Sequence, residues 1–240
     1  MAAIERFACN TDGRDFVIGD IHGCFDQLEE ALAHFDFDPA RDRAFSVGDL
    51  IDRGPRSPAA LEWLEKPWFH ACLGNHEEMM LLSASDPTQQ LSWLLFNGGA
   101  WWLEQDAATR EKFMTAFADV PMALEIETSL GRVGMVHADV PAAMSWRAFV
   151  QALEGGDRQV RQTALWGRDR AEGFVSAPVE GIDRVVCGHT VTPDRRIHVV
   201  GNVWFIDTGA FFREGGATLT VMPITELFAE APASAGQGDR

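Results

Sequence analysis

No stretch of this chain approaches the roughly 20 consecutive apolar residues of a membrane span, so the sequence predicts no transmembrane helix. The opening MAAIERFACNTDGRD lacks a basic segment followed by an apolar one, which argues against a secretory leader. Cysteine is scarce. The four present (Cys9, Cys24, Cys72 and Cys187) lie far apart and form no C-x-x-C pair. Free thiols in a reducing cytoplasm are expected, not a disulfide framework. Positive charge is also short, with 20 Lys and Arg against 36 Asp and Glu and a formal net charge of −16. An acidic surface repels nucleic-acid backbones and anionic lipid, so neither is expected as a partner. The chain carries no internal repeat or long linker. Low complexity is confined to residues 229–240, AEAPASAGQGDR, which read as a disordered tail.

What is present is a rhythm. Phe16, Val17 and Ile18 precede Gly19 and Asp20, and Phe45, Ser46 and Val47 precede Gly48 and Asp49. Ala71, Cys72 and Leu73 precede Gly74 and Asn75, and Val185, Val186 and Cys187 precede Gly188 and His189. Met135 and Val136 before His137 form a looser copy. Helix-like stretches over 25–35 and 57–64 separate the first of these runs, and alternating short strands and helices imply an α/β architecture. In such sheets ligand chemistry gathers beyond the carboxyl ends of the strands, where each polar cluster falls. Residues 77–117 read as helical, broken at Gly98 and Gly99 inside WLLFNGGAWW; strand-like runs return from Met122, and Gly201-Asn202 joins two of them as a hairpin. With 240 residues, 46% of them apolar, the chain can bury a core without disulfides.

The strand-end polar residues are Asp20, His22, Asp49, Asp52, Arg53, Asn75, His76, Glu77, His137, Asp139 and His189. Carboxylates, imidazoles and a carboxamide, with no thiol among them, suit borderline divalent metals such as Mn, Fe or Zn. Two ions ~3.5–4 Å apart would form a clamp for in-line displacement at phosphorus. Taken singly, Asp49 or Asn75 reads as a helix N-cap. Repetition of the strand–Gly–ligand pattern is what points to metal.

GDIHG at 19–23, GDLIDRG at 48–54, GNHE at 74–77, HAD at 137–139 and GHT at 188–190 resemble the phosphoprotein-phosphatase signature of the calcineurin-like metallophosphoesterases. The resemblance runs from about Asp15 to Met222, and in the intervening parts the chain is similar to the bacterial and bacteriophage lambda type. It implies a single catalytic domain over 1–228, built as a two-sheet β-sandwich flanked by helices with a dinuclear metal site at the strand C-termini. It also implies that Asp20 and His22 hold one ion, that Asp49 bridges, and that Asn75, His137 and His189 hold the second. His76 would be the general acid, with Asp52 orienting and charging it. Arg53 and Arg168, with Asn75, would bind the substrate phosphate, and a metal-bridging hydroxide would be the nucleophile. Arg168 is preferred to Arg170 by alignment to the family's Trp-x-Arg, and Asp139 is read as a brace behind the ligands. The cofactors implied are two divalent ions, Mn²⁺ before Fe or Zn, and the substrates are phosphorylated proteins or peptides (Ser/Thr, with Tyr and aryl phosphates as extensions).

Elementary chemistry agrees with these roles. A serine alkoxide leaves poorly unless protonated, which is worth ~10²–10⁴-fold, and an imidazolium is a suitable donor. Guanidinium forks match phosphate oxygens as lysine cannot, and Lys66, near the motifs, falls on a surface-like helix end. Two rivals remain. A symmetrical bis(5'-nucleosyl)-tetraphosphatase shares the early motifs, but that branch has GNHD where Glu77 stands and lacks the equivalent of Asp52. A catalytically inactive phospho-recognition module would have lost a ligand, the acid or an arginine. The tryptophans of WLLFNGGAWW read as core or as a packed helix pair rather than a substrate wall, Cys24 and Cys72 as packing residues, and His34, His70 and His198 as ordinary. Asp207 in FIDTGA stays open as a loop acid.

Overall fold

The computed structural model describes residues 3–212 and 217–229. The expected tail from residue 230 onward lies outside the described residues. Among the described residues, ten strands form two sheets. One holds β1 (Ile4–Phe7), β5 (Ala123–Thr128), β6 (Gly131–Val136), β7 (Arg184–Cys187), β9 (Val203–Phe205) and β8 (His198–Val200), in that spatial order. The other is β10 (Val221–Pro223), β2 (Asp15–Ile18), β3 (Arg43–Ser46) and β4 (Phe69–Ala71). Strands β2, β3 and β4 run parallel, as do β6, β7 and β9.

Burial explains why the strands read as continuous apolar runs. All four residues of β2, DFVI, are buried. Val17 and Phe45 face the second sheet, clustering with Leu124, Ile126, Val133, Met135, Val186 and Trp204. Ile18, Ala44 and Phe69 point the other way, into a cluster with Phe25, Leu28 and Trp63. Successive side chains alternate between the two faces, so a strand covered on both sides has no polar face. Helices α1 (Phe25–His34) and α2 (Ala60–Leu64) cover one sheet; α6 (Trp146–Glu154) buries Trp146, Phe149, Val150 and Leu153 at the spacing of a single helical stripe. This is the expected two-sheet sandwich with flanking helices. The β8–β9 hairpin is present, turning at Gly201 with φ +64°. Helices α6 and α7 (Arg158–Trp166) lie between the strand-like runs, in a stretch where no element was expected.

Between β4 and β5 the chain forms α3 (Asn75–Ser83), α4 (Pro87–Phe96), a 3-10 segment (Gly99–Glu104) and α5 (Ala107–Ala118). Gly98 at φ +84° makes the expected break.

His70 on β4 stacks on Phe45 and lies 4.4 Å from the Phe7 ring, and burial, followed by the Arg43 charge, lowers its pKa from 6.5 to about 4. The unfolded chain therefore binds a proton that the native state refuses, and stability falls as pH drops from about 6.5 toward 4. His70→Phe should remove part of that acid sensitivity. Urea unfolding at pH 7 and pH 5 should show a smaller loss for the variant, and an equal loss would assign the effect elsewhere.

Candidate dinuclear metal centre

Parallel order in both sheets puts six loops on one edge. Asp20 and His22 follow β2, Asp49 follows β3, and Asn75 opens α3 after β4. His137 follows β6, His189 follows β7, and Asp207 follows β9. The loops pack against one another's functional groups, which explains the glycine in the rhythm. A Cβ on Gly74 would stand 2.2 Å from Asp49 Oδ1, and one on Gly188 would stand 1.9 Å from Asp20 Oδ1. Five of these loop residues also hold positive φ: His22, Asp49, Asp52, Arg53 and His189, at 44°, 50°, 73°, 65° and 65°. Non-glycine residues pay on the order of 1–3 kcal/mol for such backbone, and it persists where a site demands it.

Asp49 sits at the centre. Its Oδ2 lies 3.4 Å from His22 Nε2 and 3.9 Å from His76 Nε2, and its Oδ1 lies 3.4 Å from His137 Nε2. Burial works against its charge, but the facing His137, His76 and His22 outweigh that and hold the carboxyl below the ordinary range. Backbone carbonyls set the tautomers. His22 Nδ1 donates to Ile51 O and His137 Nδ1 to Val47 O, both at 2.9 Å, which leaves each Nε2 lone pair facing the centre. Burial also depresses both imidazoles, and it takes His189 down to about 2, reinforced by His137 and Arg168. Neutral imidazole is the ligand form.

Asn75 Oδ1 meets His137 Nε2 at 2.8 Å and His189 Nδ1 at 2.9 Å. Asp20 accepts the His189 N–H through both oxygens, at 3.1 and 3.0 Å; burial, then Asp207 and Asp49, raise its pKa well above the ordinary value. Among the described residues two groups each gather donor atoms that all lie within 4.8 Å of one another: His22, Asp49 and His76, and Asp20, Asp49 and His137. Asp49 belongs to both. Two buried polar atoms nearby, His189 Nε2 and Asp207 Oδ2, have no hydrogen-bond partner. Buried polar atoms are normally satisfied, and an oxygen- and nitrogen-donor pocket with such atoms fits divalent cations.

Beside Asp49 stands a second arrangement. His76 Nδ1 pairs with Asp52 Oδ2 at 2.7 Å, both residues fully buried. Asp52 also accepts the indole N–H of Trp93 on Oδ2 at 2.6 Å and that of Trp101 on Oδ1 at 2.7 Å. Trp93 and Trp102 are core residues as expected, but two of the segment's indoles also reach the site, which composition alone did not show. Glu77 has a further role: its carboxylate accepts from the backbone N–H of Asp49, Leu50, Ile51 and Gly74 at 2.8–3.3 Å. Burial, followed by the Asp49 charge, pushes Glu77 up to about 8.

The arginines divide. Arg53 is exposed as a residue, yet its guanidinium reaches His22 Nε2 at 2.6 Å and lies over the Phe211 ring at 4.7 Å. Arg168 is exposed, with Nη1 donating to Thr190 Oγ1 at 3.3 Å. Arg170 is buried, donating through Nε to Asp139 Oδ1 at 3.0 Å and bonded to Ala177 O. Asp139 thus braces Arg170 and the Val140 N–H. Asp207 was legible only as a loop acid; it is buried, accepts from Gly209 N at 2.9 Å, and is pushed by burial up to about 6. Lys66 lies away from this edge, against Trp63 and Trp68.

The model of the calcineurin-like phosphoesterase family matches residues 16–193, which include every one of these loops except that of Asp207. A serine/threonine-protein phosphatase 1 of Salmonella typhimurium is 38% identical over 213 residues, covering 87% of this chain and 91% of the relative. A symmetrical bis(5'-nucleosyl)-tetraphosphatase of Shewanella is 30% identical, covering 79% of this chain and 70% of the relative. Among solved structures, a serine/threonine phosphatase of Saccharomyces cerevisiae superposes with TM-score 0.58 at 15% identity, covering 86% of this chain and 71% of that one. Two sheets whose parallel strand ends share one acid between two donor groups, matched by the family over most of the length, leave one conclusion: this chain belongs to the calcineurin-like phosphoesterases.

Proposed function

We propose that the chain is a metal-dependent protein phosphatase that hydrolyses phosphomonoesters on serine and threonine, and also phosphotyrosine and aryl phosphates. The observation that carries this reading is the His76–Asp52 pair, buried at 2.7 Å beside the acid common to both donor groups. Asp20, His22 and Asp49 would hold one divalent ion, and Asp49, Asn75, His137 and His189 the other. Manganese is the ion we assign, with iron or zinc as alternatives compatible with a donor set lacking thiolate. When bound, the ions supply Lewis acidity, lowering the pKa of water and neutralising phosphoryl charge.

The chain's own residues do the rest. Arg53 and Arg168 would take phosphoryl oxygens, with Asn75 at the edge of that site, and a guanidinium donates two parallel N–H groups to such an anion. Phe211 beneath Arg53 gives its cation an aromatic floor. A water oxygen forms the new bond to phosphorus, giving up one proton to solvent, as the ester phosphorus–oxygen bond breaks; the electron pair of the broken bond stays on the leaving oxygen, which takes the proton on His76 Nε2. Asp52, bonded to Nδ1, keeps the opposite ring nitrogen turned toward the substrate. Cytoplasmic placement is part of the proposal. It is supported by cysteines that lie apart and form no disulfide among the described residues, where also no helix is long and apolar enough to cross a membrane.

A phosphoserine peptide and a dinucleoside tetraphosphate should be assayed side by side after metal analysis, with Mn²⁺ added back. The peptide should turn over and the dinucleotide lag. Turnover of the dinucleotide alone would replace this reading with the tetraphosphatase one, and binding without turnover of either would favour the recognition module.

A further inference from the structure

A buried carboxylate is costly unless its oxygens are satisfied. Asp52 is fully buried and takes three side-chain N–H groups, one from His76 and two from indoles that lie far along the chain. Neither indole is placed casually. Trp93 packs on Trp102 with centroids 5.7 Å apart, and Trp101 packs on Phe113 at 5.1 Å. Gly99 leaves room for the Trp93 ring, since a Cβ there would stand 2.6 Å from it. Gly98, at φ +84°, aims its carbonyl at the Arg53 N–H at 3.4 Å, so the same turn touches the phosphate-binding candidate.

We propose that Trp93 and Trp101 are positioning residues for leaving-group protonation: their indole N–H groups fix the Asp52 carboxylate, and through it the His76 ring. This rests on the reading of His76 as the acid. With Oδ1 held by Trp101 and Oδ2 by Trp93, the carboxylate keeps one plane and presents one oxygen to Nδ1. His76 can then offer its proton only along the direction of the departing oxygen. The Trp-rich segment acts behind the acid, out of reach of the substrate.

The test compares leaving groups. Wild type, Trp93→Phe, Trp101→Phe, Trp102→Phe and His76→Asn are assayed on a phosphoserine peptide, whose alkoxide needs a proton, and on 2,4-dinitrophenyl phosphate, whose phenolate does not. Each indole variant should lose about ten- to a hundredfold in kcat on the peptide, the scale of a hydrogen bond to a charged group. KM should hold, and the activated ester should change by less than about threefold. Trp102→Phe, which perturbs the same ring cluster, should alter both substrates equally. If the indole variants lose the two activities in parallel, or lose neither, the proposal is overturned. His76→Asn separates the failures. Selective loss there without selective loss at the tryptophans sinks only the clamp, whereas no selectivity at His76 sinks the acid assignment itself. If the buried Trp93→Phe fails to fold, the half-buried Trp101→Phe carries the test.

Discussion

Replacing His76 with asparagine should lower kcat on a phosphoserine peptide by about 10²–10⁴-fold, the range of general acid catalysis, while bound metal should stay at the wild-type level. The two halves of that expectation test different things. His76 Nε2 lies 3.9 Å from Asp49 Oδ2, and the ring belongs to one of the two donor groups, so proximity alone permits a ligand role. The Nδ1 bond to Asp52 argues otherwise. A dedicated carboxylate partner at 2.7 Å suits a group that carries and gives a proton, whereas His22 and His137 turn Nδ1 to neutral backbone carbonyls. Asparagine keeps the backbone N–H that bonds Asp49 Oδ1 at 3.0 Å, so the central acid is not released. Kinetics and metal analysis on one preparation decide. A fall in metal content matching the fall in activity would make His76 a ligand and leave the acid unassigned.

The sequence carried the fold through two signals, and both have physical causes. Strands such as β2 are buried on both faces, so apolar residues run without alternation and end abruptly at glycine. The glycine follows from crowding, because Gly74 and Gly188 lie against the carboxylates of Asp49 and Asp20. That recurrence made the loop positions legible one by one. Where no such signal stood, no element was expected. Helix α6 has its apolar residues at a helical spacing and a Ser145 N-cap, yet it lies among strand-like runs and contains no motif. Glu77 was legible as a branch marker, but nothing in GNHE says that its carboxylate gathers four N–H groups from the Asp49 loop and its own. The tryptophans hide their role for the same reason. Large apolar rings predict burial, and the single N–H that each offers Asp52 depends on a separation of 41 or 49 residues being closed by the fold. Asp207 is a similar case, one carboxylate oxygen bonded and the other left free beside the centre.

Asp49→Asn should lower activity on the order of 10³-fold and take the metal response with it. Lewis-acid stabilisation is worth several kcal/mol, and each ~1.4 kcal/mol is tenfold in rate. The substitution keeps shape and keeps an oxygen for the His76 N–H, so the loop itself has reason to survive. What it removes is charge at the one position common to both donor groups. The consequence reaches folding stability. The Asp49 charge raises the pKa of both Asp20 and Asp207, and Asp207 raises that of Asp20, so the buried pocket crowds negative charge that divalent cations relieve. Cations that bind the native state alone stabilise it by ~2.7 kcal/mol at a hundred times their Kd. For a chain of this size each kcal/mol moves Tm by roughly 2–4 °C, so chelation should lower the wild-type Tm by roughly 5–10 °C. The variant should show a small Tm response to chelator or to Mn²⁺, and metal analysis should give less than one ion per chain. If Asp49→Asn still binds two ions and still gains the full Tm increment, Asp49 is not shared between them, and the centre must be built around another acid, Asp20 first among them.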